Sequence, residues 1–100
     1  MLIVINEFHV IPGREAEFER LFAEVQRLIL REPGCLSCRL HRERTAPNVY
    51  VSYLEWTALE ALEAPHDRAI GDLIARYPLQ EPPRRRRFDP VGKEGNGPHR

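Results

Sequence analysis

One hundred residues, with fifteen basic and fifteen acidic side chains, give room for one hydrophobic core and no long-range field to draw in nucleic acid. No stretch approaches the ~20 apolar residues of a membrane helix, and Met1-Leu2-Ile3-Val4-Ile5 lacks the basic start of a signal peptide; a cytoplasmic protein with neither membrane nor nucleic-acid partner is expected. The neutrality is uneven, since residues 1–82 hold nine Arg against thirteen Asp/Glu and residues 83–100 hold six Lys/Arg against two.

Residues 2–10 are rich in β-branched and aromatic types and end at Ile11-Pro12-Gly13, a turn signal. Alternation puts Leu2, Val4, Asn6, Phe8 and Val10 on one face, read as the core face, and Ile3, Ile5, Glu7 and His9 on the other. From Arg14 to Arg31 the period changes: Phe18, Leu21, Phe22, Val25, Leu28 and Ile29 line one helical stripe. Acidic residues crowd its first turns, Arg20–Glu24 and Glu24–Arg27 are spaced to pair, and Pro33-Gly34 stops it. Residues 35–44 alternate as a strand, with Leu36, Cys38 and Leu40 opposite Cys35, Ser37, Arg39 and His41. After the turn Thr45-Ala46-Pro47-Asn48, residues 49–56 alternate again, Val49, Val51 and Tyr53 opposite Tyr50, Ser52, Leu54 and Trp56. The short connection makes the pair an antiparallel hairpin. Thr57 with Glu60 has the form of a capping box for a short helix over 58–63, which breaks near Pro65 and resumes over 66–77 with Ile70, Leu73, Ile74 and Tyr77 on one stripe. Residues 85–91 form a final edge strand, and residues 92–100 a polar tail expected to be disordered.

The order strand–helix–strand–strand–helix–strand is ferredoxin-like βαββαβ, an α+β fold with a four-stranded antiparallel sheet. Cys35 and Cys38 form a lone C-x-x-C, but within an extended strand their Cα atoms stand roughly 10 Å apart, beyond disulfide reach. Without a second ligand pair the motif does not specify zinc, and two free thiols are expected. Arg84-Arg85-Arg86-Arg87 is a local basic run, yet fourteen Arg against one Lys reads as a trait of overall composition. Helices on one sheet face leave the other in water, where Ile3, Ile5 and apolar residues of the third strand would lie exposed. Pairing that face with a second copy buries the patch at roughly 25 cal/mol per Å², so a homodimer through the sheet face is expected.

Several segments, taken in order, carry a resemblance. Val10-Ile11-Pro12-Gly13-Arg14 leads into a helix with Glu17-Phe18. Pro33-Gly34 precedes a strand, Tyr53-Leu54-Glu55-Trp56 closes the hairpin, and Leu59-Glu60-Ala61 leads to His66. Together they resemble the antibiotic biosynthesis monooxygenase (ABM) domain family of the dimeric α+β barrel superfamily. The likeness covers about residues 2–91 and assigns 1–91 to the domain and 92–100 to the tail.

The resemblance implies a pocket between sheet and helices that binds a small hydrophobic or aromatic ligand. It also implies oxygenation of a quinol or polyketide-like substrate with no cofactor and no metal. A phenolate or enolate can itself give an electron to O₂, so the protein need only bind the ring, assist its deprotonation and shield the intermediates. The catalytic candidates by resemblance are Asn6, Trp56 and His66, with Phe8, Phe22 and Tyr53 as substrate contacts. Each carries a second reading. Asn6 is either hydrogen-bonded within the core or aimed at a ligand. Trp56 is either a core plug under the second helix or a wall of the site. His66 is either a neutral base near a positive helix end or a structural cap. Tyr53 is a core residue whose hydroxyl would have to reach the pocket.

Other functions fit the same pocket. A binding or sensing module without turnover is the main alternative, followed by isomerase or lyase chemistry on a small carbonyl compound. A haem-degrading branch of the superfamily uses an Asn, a Trp and a His. Its Trp lies in the second helical segment, where this chain has Ala64-Pro65 and no second Trp, so haem degradation is disfavoured.

Overall fold

The computed structural model describes residues 1–95 and 97. Seven elements follow in order: β1 (Leu2–His9), α1 (Glu15–Ile29), β2 (Cys35–Arg42), β3 (Val49–Trp56), α2 (Leu59–Glu63), α3 (Arg68–Ile74) and β4 (Arg84–Phe88). The strands form one antiparallel sheet in the order β2-β3-β1-β4, the βαββαβ arrangement the sequence predicts. The expected tail falls partly on residues 96 and 98–100, which lie outside the described residues.

One face of the sheet carries the core. Leu2, Val4 and Phe8 of β1 lie beside Tyr50, Ser52, Leu54 and Trp56 of β3, with Cys38 of β2, and all are buried. Helix α1 lays Phe18, Leu21, Phe22 and Val25 on this face, and α3 adds Ile70. At one end the rings of Phe8, Phe18, Tyr50 and Tyr77 pack with centroids 4.9–5.8 Å apart. These are separations at which aromatic pairs add stability beyond their buried area. The opposite face holds Ile3, Ile5, Val49, Val51, Tyr53 and Phe88, each half-buried and none covered by a helix.

Four local expectations are corrected. A bulge between Cys35 and Ser37 shifts the register of β2, so Leu36 is 54% exposed while Cys35 packs against the core. Thr57 does not cap α2: the N-cap is Ala58, with no side-chain bond. The Thr57 N–H instead donates to Gly34 O at 2.8 Å, which keeps this residue on the strand side of the junction. The second helical segment is shorter than its apolar stripe suggested and begins after Asp67, whose carboxylate accepts from Ala69 N at 2.9 Å. On α1 the ion pairs among the described residues are Arg14–Glu17 at 2.6 Å and Glu19–Arg42 across to β2, rather than those of Glu24.

Candidate functional site

Between the core face and the helices lies a cavity of about 150 Å³. Its floor is Val4, Asn6 and Phe8 of β1 with Ser52, Leu54 and Trp56 of β3. Its roof is Phe22, Val25 and Ile29 of α1 with Leu62 and Ile74, and Cys38, Tyr77, Arg85 and Arg87 complete the wall. A dry cavity of this size holds one benzene-sized ring. A larger aromatic must therefore leave part of itself in the mouth.

The walls are apolar apart from a few groups. Asn6 and Ser52 are direct cross-strand partners, and the Asn6 amide donates to Ser52 Oγ at 3.1 Å. Asn6 Oδ1 is buried with no protein partner. Ser52 can donate as well as accept, so whichever way the amide is turned one heteroatom is taken and the other is left free. Trp56 is fully buried and its Nε1–H also has no protein acceptor. A buried polar group without a partner costs about 1–3 kcal/mol.

Two wall residues are weak acids held neutral. Burial pushes the Cys38 thiol up to about 12. Burial also raises the Tyr77 phenol, Cys38 adds to that, and the positive charge of Arg85 opposes it. No carboxylate and no imidazole lines the cavity among the described residues.

The sequence candidates are thus divided. Asn6, Trp56, Phe8 and Phe22 meet at the cavity. Tyr53 does not, and its assignment as a substrate contact is corrected: it pairs with Ile5 and stands on the uncovered face with Val51, because strand side chains alternate. His66 does not line the cavity either. Its ring packs on Trp56 at 5.2 Å between centroids. Nε2–H donates to Leu62 O at 2.8 Å, which satisfies a carbonyl at the end of α2. Nδ1 faces Glu32 Oε2 at 3.6 Å, and Glu32 Oε1 accepts from Asp67 N at 2.7 Å. His66 thus reaches the cavity only through Trp56 and Leu62.

Arg85 and Arg87 were missed as site residues. The signal was strand alternation: in a run of four arginines every second one faces the same way. Pairing Asn6 with Arg85 and Val4 with Arg87 turns these two to the cavity side, while Arg86 lies over Phe88 on the other face at 5.0 Å.

The family model described as antibiotic biosynthesis monooxygenase matches residues 1–68. A curated relative, deoxynogalonate monooxygenase of Streptomyces nogalater, is 40% identical over 57 residues, 57% of this chain and 48% of the relative. The chain thus matches about half the length of that relative. Among solved structures, a variant of SnoaB, described as a cofactor-independent oxygenase from Streptomyces nogalater, is 28% identical. It superposes with a TM-score of 0.76 over 92% of this chain and 94% of its own. A Mycobacterium tuberculosis protein shares the fold at 19% identity, with a TM-score of 0.80 over 94% and 98% of the two chains.

Proposed function

The chain belongs to the antibiotic biosynthesis monooxygenase family, and from that premise we propose that its cavity binds an electron-rich aromatic, a quinol or anthrone-like ring, and lets it react with molecular oxygen without a cofactor. The observation that carries this is an apolar, ring-sized cavity whose walls include Asn6 and Trp56, each with a buried polar atom that has no protein partner among the described residues. The SnoaB description as a cofactor-independent oxygenase supports the same reading.

The chemistry balances without an external reductant. An acidic ring methylene loses a proton, and the resulting carbanion, delocalised as a phenolate, passes one electron to O₂. The radical pair joins as a C–O bond, and after protonation the hydroperoxide loses water to leave a carbonyl. One CH₂ and one O₂ become one C=O and one H₂O. Trp56 Nε1–H is suited to donate to the oxygen on which negative charge collects, and the apolar wall keeps the radical pair from water. Cys38 and Tyr77 are held protonated and His66 stands behind Trp56, so the proton leaves to solvent at the mouth and reactivity follows the substrate's own acidity. His66 acts as a positioning residue for Trp56.

Oxygen uptake with a panel of anthrones and quinols tests this. Wild type is expected to consume O₂ above the uncatalysed rate, with Trp56→Phe slower by about 10²-fold, the scale for losing one preorganised donor. No uptake above background across the panel overturns the oxygenase reading. A second reading, a binding module without turnover, would then hold; the lack of a base among the described cavity residues favours it.

Two further features belong to the same proposal. The uncovered sheet face pairs with a second copy, supported by the half-buried patch of Ile3, Ile5, Val51, Tyr53 and Phe88. The free thiols Cys35 and Cys38 fit a reducing compartment, the cytoplasm. Among the described residues no helix is long and apolar enough to cross a membrane.

A further inference from the structure

We infer that Arg85 and Arg87 form an anion clamp at the mouth of the cavity, and that the ligand is an aromatic ring carrying a carboxylate. The inference rests on the reading of the cavity as the ligand site, but not on turnover there.

The placement follows from the register. Among the described residues β4 is an edge strand paired only with β1, and it sets Arg85 beside Asn6 and Arg87 beside Val4, both of which line the cavity floor. Two residues apart on one strand face, their Cα atoms are separated by roughly 7 Å. Two guanidiniums at that spacing can reach the two oxygens of one carboxylate, the planar geometry their forked donors match.

The charge around them is one-sided. These two are the only charged side chains lining the cavity among the described residues. Arg85 forms no ion pair there. Arg87 has Glu63 on α2 at 3.7 Å, with both side chains more than half exposed. A contact of that kind is worth little and is easily exchanged for a ligand.

Size points the same way. The cavity takes about one ring, so an acidic substituent on the opposite side of the ring projects into the mouth where the arginines stand. The ring then lies against Asn6 and Trp56 of the cavity wall while the open end meets the carboxylate. Two-point recognition of this kind fixes which carbon of the ring faces the interior.

The test uses the one tryptophan of the chain, Trp56, as reporter. Its fluorescence is followed without oxygen during titration with 4-hydroxybenzoate, whose hydroxyl and carboxylate stand on opposite sides of one ring, and, separately, with the uncharged 4-hydroxybenzamide, which keeps ring and phenol but removes the charge. The acid is expected to bind wild type at least tenfold more tightly than the amide. That preference should shrink with added salt and fall to within twofold in Arg85→Gln/Arg87→Gln. Arg84→Gln/Arg86→Gln, which removes the same charge from the other sheet face, is expected to keep it. Circular dichroism of the double variant shows whether it is folded; Arg85→Lys and Arg87→Lys, which keep the charge but lose the fork, serve as a second pair and are expected to lie between. Equal binding of acid and amide to wild type, or a preference that survives the double variant, overturns the clamp while leaving the cavity as a ligand site. If neither probe perturbs Trp56, the cavity reading fails and the clamp with it.

Discussion

Burial acts on two ionisable side chains of the cavity in the same direction, and the sign has a measurable result. Cys38 is pushed up to about 12, whereas a thiol in an unfolded chain ionises near 8.5. Its contribution to stability is therefore complete below about pH 8.5 and lost as the pH rises toward 12, with a slope of up to ~1.4 kcal/mol per pH unit. Tyr77, raised by burial as well, adds to the loss above about pH 10. Urea midpoints at pH 8 and pH 10 should fall more steeply with pH for wild type than for Cys38→Ala, whatever the variant's lower starting stability; identical slopes would show that Cys38 ionises freely in the fold. The same neutrality predicts that oxygen uptake tracks the ionisation of each substrate and not that of a protein group. Across quinols of different acidity the apparent pKa should move with the compound. His66→Ala should lower the rate by loosening Trp56 without abolishing the pH dependence. If His66→Ala instead abolishes the pH dependence, His66 is a base and not a positioning residue.

At the level of elements, the junction of α1, β3 and α2 depends on one backbone position. Gly34 has φ +90°, and a Cβ there would lie 2.5 Å from Ala61 Cβ and 2.8 Å from Thr57 Oγ1. Gly34→Ala combines a strained backbone with a clash against α2 and should destabilise by about 2–4 kcal/mol, read from chemical denaturation. A loss below 0.5 kcal/mol would mean that α2 shifts freely. This contact also explains which parts of the chain could be read from sequence. Helix α1 was legible because Phe18, Leu21, Phe22 and Val25 repeat at helical spacing and are its buried residues, and β3 because its alternation matches its burial along the whole strand. Thr57 has the local form of a cap, but Gly34 claims its backbone N–H, a partner more than twenty residues away in sequence. Leu36 follows the alternation of β2, yet the bulge beside it turns it outward. For the site, parity along β3 already excludes Tyr53 from a cavity lined by Trp56, three residues on. Arg85 and Arg87 were not legible from the run alone, because which pair faces inward depends on the register with β1.

For the whole molecule, the uncovered face of the sheet decides how the chain exists in solution. Ile5 and Tyr53 are direct partners near its middle, beside Ile3, Val51 and Phe88. Around them stand Glu7 and His9, joined at 2.6 Å, with the Glu7 carboxyl lowered chiefly by that bond. A dimer through this face predicts that Ile5→Asp sediments as a folded monomer at micromolar concentration while wild type sediments at twice the mass. A wild-type monomer under those conditions would remove the pairing from the account. The sheet also ends in an open edge at β4, whose outer backbone groups have no strand partner among the described residues. A bare edge of that kind invites a neighbouring chain to add a strand, the first step of aggregation. Four consecutive arginines make such addition self-repelling, because a second β4 would bring like charges into register. The strand proposed to hold an anion therefore also guards the fold's solubility, and neutralising all four arginines at once would leave the edge open to intermolecular pairing.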